Sequence, residues 1–99
     1  MSYTRINPTA ESQNALVYKG YVPSTTTDFN SVTTMGIYML GSTTMTNAPA
    51  QYQWRFLVVL GSGAVRHQFV FGNMNDIYFR GFTGNPGTWG AWRKITSST

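Results

Sequence analysis

The residues with the clearest chemistry for recognition form one run, Ala50-Gln51-Tyr52-Gln53-Trp54-Arg55, in which two aromatic rings stand among amides and a guanidinium. Rings of this type stack on the C–H face of a pyranose while amides bind its hydroxyls, and Arg55 can pair with an anionic substituent. Tyr52, Gln53, Trp54 and Arg55 are therefore the leading candidates for a binding surface. Trp54 also opens an apolar run, so packing competes with binding there more than at Tyr52. Arg66 is the next candidate, beside His67; adjacent residues of an extended segment face opposite ways, so at most one of them enters a given groove.

Catalysis finds little to work with. His67 is the sole histidine, and it could meet Asp76 across a turn, but no serine or cysteine stands in a nucleophile motif. Glycoside hydrolysis needs two carboxyl groups about 5–9 Å apart. Glu11, Asp28 and Asp76 are the whole supply of acids. Three acids and one histidine do not build a structural zinc or calcium cage, and no cysteine exists for a thiolate site, so no metal and no cofactor are expected. The sequence reads as that of a non-enzymatic protein.

The formal net charge is +4, with seven basic residues against three acidic ones. That balance favours anionic partners, among them phosphate-bearing cell-wall polymers, lipopolysaccharide cores and nucleic acid. The basic residues are scattered singly, unlike a nucleic-acid-binding arm. Phe69-Val70-Phe71 faintly echoes the aromatic strand of RNA-recognition domains, yet Arg66-His67-Gln68 lacks the expected glycines and no amphipathic helices stand ready to back such a sheet. Single-stranded nucleic-acid binding is thus the rival from another class. The longest apolar run, Phe56 to Leu60, is too short to span a bilayer, so membrane insertion is not expected; no hydrophobic leader precedes it, which makes lysis or particle assembly the expected route out of a cell.

At 99 residues the chain has room for one domain. A domain of this size hides only about 60–65% of its unfolded surface, so a partner chain would supply burial. Only 10% of residues are charged, and Thr, Ser, Gly, Asn and Gln separate the apolar runs. This composition suits short strands and tight turns. The predicted fold is all-β, a small antiparallel sandwich or meander. Residues 1–27 are polar and Thr/Ser-rich and read either as an attachment segment with a linker or as an edge strand of the same domain, through Leu16-Val17-Tyr18 to Tyr21-Val22. Residues 28–99 form the domain proper, and Asp28 is placed to cap one helical turn over Phe29 to Val32.

Strands are predicted at Ile37 to Leu40, Arg55 to Leu60, Ala64 to Phe71, Ile77 to Phe82 and Trp89 to Ile95, with Ser42 to Gln53 as a long loop. Arg55 to Leu60 is almost wholly apolar, which suits a central strand buried on both faces. In the next strand Val65, His67, Phe69 and Phe71 share one face, and Arg66, Gln68 and Val70 the other. Turns follow at Gly61-Ser62-Gly63, at Gly72 to Asp76 and at Asn85-Pro86-Gly87, where Pro fixes one φ and Gly supplies a positive one. Trp89 and Trp92 are three apart, so in a regular strand they face opposite ways, whereas a bulge at Gly90 brings them together.

Several short signatures occur in one order: Gly36-Ile37-Tyr38 after Asn30, Thr46-Asn47-Ala48-Pro49, Gln68, Ile77-Tyr78-Phe79-Arg80, and Thr88-Trp89-Gly90-Ala91-Trp92-Arg93-Lys94-Ile95. Over residues 28–96 this ordered set resembles the knob domain of bacteriophage and R-type pyocin tail fibres. The resemblance implies a homotrimeric virion component of a phage tail or tail-like particle, in contact with other tail proteins, that binds a bacterial surface polysaccharide during host attachment. A baseplate or head-decoration role is the structural alternative. Asn47, Pro49, Gln68, Arg80, Trp89 and Trp92 are assigned to holding the fold, with Arg80 placed over an indole or bonded to the Asn47–Pro49 loop; receptor choice belongs to loops, which change without unpairing a sheet.

Overall fold

A computed structural model describes residues 16–72 and 76–96. Residues 1–15 and the Asn73-Met74-Asn75 turn, both part of the reading above, lie outside the described residues.

Seven strands form one mixed sheet: β1 (Tyr18–Tyr21), β2 (Gly36–Met39), β3 (Phe56–Ser62), β4 (Val65–Phe71), β5 (Asp76–Gly84), β6 (Gly87–Trp89) and β7 (Arg93–Thr96). They stand in the order β1-β2-β3-β4-β5, with β6 and β7 both pairing with β5. β1 and β2 are parallel and every other pair is antiparallel. The all-β expectation holds, in its meander form. β1, inside the 1–27 segment, is the edge strand of this sheet.

One 3₁₀ turn, Phe29–Ser31, lies across one face of the sheet. Asp28 caps it as the sequence predicts: its Oδ1 accepts from the Asn30 N–H at 2.9 Å. The turn drives Phe29 wholly into the interior, where it joins Val32, Leu40, Met45, Leu57, Val59, Val70 and Tyr78 as the buried core. All of this core lies on one side of the sheet. β4 presents Arg66, Gln68 and Val70 to it, so the more polar of the two faces read from the sequence is the inner one.

The other side is left uncovered by the described residues. Register aligns Met39, Phe56, Phe71, Ile77 and Ile95 in one row, and Ile37, Val58, Phe69, Phe79 and Arg93 in the next. Phe56 and Leu60 are 50% and 38% exposed. The expectation that β3 is buried on both faces is therefore corrected: its apolar run reflects a buried face plus an apolar face that no described residue covers. His67 lies on this open side against Phe69, their rings near-parallel at 6.2 Å, and Phe69 stacks on Phe79 at 6.4 Å. A Cβ on Gly81 would come within 3.3 Å of the His67 ring, so glycine there lets the imidazole lie flat on the sheet.

Two details differ at the C-terminal end. The predicted strand from Trp89 to Ile95 breaks into β6 and β7 at Gly90, Ala91 and Trp92, and the Gly90 N–H bonds the Gly81 carbonyl at 2.7 Å. The reversal before β6 is centred on Asn85 and Pro86, and Gly84 rather than Gly87 takes the positive φ, at 105°. Gly87 instead pairs with Gly84 as the first residue of β6.

Candidate functional site

The break in the last strand places both indoles on the core side of the sheet, around Arg80. The Arg80 guanidinium carbon is 4.3 Å from the centre of one Trp89 ring and 4.7 Å from that of Trp92. A cation between two aromatic faces is stabilised by both ring quadrupoles, the more so away from water. Arg80 is only 4% exposed and Gln68 not at all. Gln68 holds the arrangement together. Its Nε2 donates to the Phe29 and Val32 carbonyls at 2.7 and 2.9 Å, satisfying the end of the 3₁₀ turn, and its Oε1 accepts from Arg80 Nε at 2.8 Å.

The loop before β3 closes the ring of contacts. Trp92 Nε1 donates to the Asn47 carbonyl at 2.8 Å, and Asn47 Nδ2 donates to Asp28 Oδ1 at 2.9 Å. Asp28 is held below the ordinary carboxylate range, first by the Asn47 amide, then by the Asn30 N–H, with the Arg80 charge a further cause. Burial pulls the Arg80 guanidinium down to about 10, opposed by Asp28, so it stays charged at neutral pH. Pro49 is buried beside this loop. Of the six residues assigned to structure, Asn47, Gln68, Arg80, Trp89 and Trp92 converge on one corner of the fold.

That corner is also a cleft of about 500 Å³, lined by Asn30, Asn47, Ala48, Thr88, Trp89 and Trp92, with Arg80 and the Gly87 to Ala91 backbone completing it. Indole edges and alanine methyls alternate there with amides and a hydroxyl. Sequence reasoning missed Asn30 and Thr88. Both are exposed, and Asn30 enters the capping network through its backbone alone, so neither side chain has a structural partner among the described residues. The signal available for them was the proximity of Asn30 and Thr88 to the recognised motifs.

No family model, curated protein or solved structure matches this chain.

The residues picked for binding do not stay together. Tyr52 points inward: its ring meets Phe29 edge-on at 5.5 Å, and its hydroxyl accepts from the Met45 N–H at 2.8 Å. It packs, partly buried, against the edge of the core. Gln53 Nε2 donates to the Ser42 carbonyl at 2.8 Å, and Arg55 Nη1 donates weakly to the carbonyls of Gln53 and Trp54, so both side chains brace the loop. Trp54 alone projects, 59% exposed. Its φ is +61°, and Asn47 and Gln51 in the same loop are also left-handed. Asn tolerates that region, whereas a tryptophan held there stores on the order of 1 kcal/mol or more of strain, a cost most often retained where a side chain must be presented.

Arg66 lies far from this loop. It pairs with Gly61 near the opposite end of β3 from Phe56, and its guanidinium covers the Phe82 ring at 5.5 Å. Five residues of strand separate the two positions by about 16 Å. His67 pairs with Gly81 on the open side, whereas Asp76 begins β5 and its carboxylate faces Lys94 at 3.4 Å. The His67–Asp76 contact weighed from the sequence does not form.

Proposed function

We propose that this chain is a non-enzymatic recognition knob of a phage tail or tail-like particle, homotrimeric, which binds a bacterial surface polysaccharide in the cleft beside Trp89 and Trp92 during host attachment. The observation that carries the reading is the cleft itself: a recess of about 500 Å³ that brings the Trp89 and Trp92 indoles together with the Asn30 amide and Thr88 hydroxyl, neither of them bonded to another described residue. Small-ligand sites are concave and carry placed polar groups that orient the ligand; this cleft is more polar than apolar, which suits a hydroxyl-rich ligand over a greasy one. Sugar rings present C–H faces together with hydroxyls. The buried Gln68–Arg80–Trp network beneath keeps the lining fixed, which lowers the ordering cost of binding.

Trp54 is a second exposed aromatic, outside the cleft. It sits on the loop that contributes Asn47 and Ala48 to the cleft, and its indole is free to stack on a further sugar unit. Repeated polysaccharide units engaged by several copies on one tip would gain affinity by avidity, so binding by a single chain can be weak.

The test is retention of the purified, labelled chain on a panel of bacterial envelopes and their extracted surface polysaccharides, with single-stranded DNA as comparison. Selective retention on one envelope type, competed by its soluble glycan and lost in Asn30→Ala/Thr88→Ala with an unchanged thermal transition, is the expected result. Retention on DNA alone, or glycan binding untouched by the double substitution, would overturn the assignment. A chain that binds no envelope would favour the baseplate or head-decoration role.

A further inference from the structure

The strongest unexplained feature is the open side of the sheet. Phe56, Leu60, Val65, Phe71 and Ile95 on it are between 38% and 55% exposed. Rings and aliphatic chains of this size each leave roughly 70–100 Å² uncovered at such exposures, so these five offer about 400 Å² before the partly covered rows between them are added. The continuous face then exceeds the few hundred Å² that monomeric proteins expose and approaches the roughly 800 Å² per partner of a stable complex.

We infer that this face is the surface through which copies of the chain associate, sheet against sheet. Three observations choose a second copy over other occupants. The face is nearly uncharged, with Arg93 at its margin and His67 lying on it, so two chains of net charge +4 meet there with little like-charge repulsion. Its rows of Phe, Val and Ile put an apolar surface on every copy, so that each chain can pack on its neighbours around the three-fold axis of the proposed homotrimer, where unlike patches meet. The β1 edge is blunted instead: β1 is four residues long, carries Lys19 and shifts register between Tyr18 and Gly20, so growth by strand addition there is discouraged. A single strand of nucleic acid fits the face poorly, because a backbone of phosphates needs a line of cations. A described cation besides Arg93 is not found along its rows.

The inference supplies a surface for the assembly proposed above, but it does not rest on glycan binding, since the cleft opens on the other side of the sheet. Sedimentation velocity of the full chain over a broad concentration series tests it, on wild type, Phe56→Glu/Phe71→Glu and Val65→Glu/Ile95→Glu. The expected result is reversible association of wild type, weakened on the order of a hundredfold or more by at least one folded double variant, folding being read from the tryptophan fluorescence of the cleft on the opposite side. Using two variants, one central and one at the rim, keeps the test open if one fails to fold. A wild-type chain that stays monomeric throughout overturns the inference, whether residues 1–15 or DNA occupy the face. Association unchanged in both folded variants overturns it too. A monomeric wild type that still binds glycan would leave the proposed glycan recognition standing without its homotrimer, and an associating chain that binds no envelope would do the reverse.

Discussion

The two faces of this sheet reverse the usual distribution of polarity. The inner face buries an amide, a guanidinium and a second, partly covered arginine, while the outer face carries most of the phenylalanines of the strands. Coverage decides which side is inside: the 3₁₀ turn, the Tyr52 loop and the β6–β7 break all fold onto the side of Gln68 and Arg80. Three hydrogen bonds to Gln68 and two indoles against Arg80 sustain that burial, while Arg80 Nη2 has no hydrogen-bond partner among the described residues. The difference teaches that specificity of shape and capacity for association are assigned to opposite sides of one layer.

The comparison is broken most severely at Gln68. Replacing it by Leu leaves the Val32 carbonyl and Arg80 Nε without partners and the Phe29 carbonyl with only its bond from the Val32 N–H, and the expected loss is about 4 kcal/mol, enough to unfold a marginal domain. Denaturant melts check this; a folded variant within about 1 kcal/mol of wild type would mean that the network is ornamental. Trp92→Ala follows, at about 3 kcal/mol, because it removes packing against Phe29, the Asn47 bond and one face of the Arg80 cage. Tyr52→Phe keeps the ring and loses the hydroxyl that accepts from Met45, for an expected cost of about 1 kcal/mol by the same melts.

Much of this was legible in the residues. Alternation in Val65 to Phe71 gave the two faces, Asp28 gave the cap, and the ordered Asn47, Gln68, Arg80 and Trp-x-x-Trp set marked the corner that holds the fold. The sense of the sheet was not legible, because strand periodicity separates faces without saying which one another segment will cover. Tyr52 illustrates the same gap at one residue. Its neighbours are polar and its loop is long, so exposure was the natural expectation; only the fold brings Phe29 and the Met45 amide to it. Gln53 and Arg55 turned out to brace that loop for a similar reason. The open outer face was hidden by composition, since an apolar strand reads alike whether a core or a second molecule covers it.

Smaller effects sharpen the contrast. Asp28 has its carboxyl lowered in the folded state, so its contribution is present above the ordinary carboxylate value of 3.8 and is lost as pH falls through the lower folded value. Thermal melts of wild type are expected to weaken below that pH, by more than those of Asp28→Asn. Equal acid sensitivity in the two proteins would assign the loss elsewhere. On the outer face, Val65→Thr is expected to change the stability of the dilute, dissociated chain by no more than about 0.5 kcal/mol, in the range of ordinary surface substitutions.

Carbene footprinting of the full chain at low and high concentration reads both faces at once and is the most direct test. The account requires Gln68 and Arg80 to be protected at every concentration, and Phe56, Phe71 and Ile95 to be labelled when dilute and shielded when concentrated. Labelling of Gln68 and Arg80 together with constant protection of Phe56 and Phe71 would show the sheet covered on the opposite side and contradict the account.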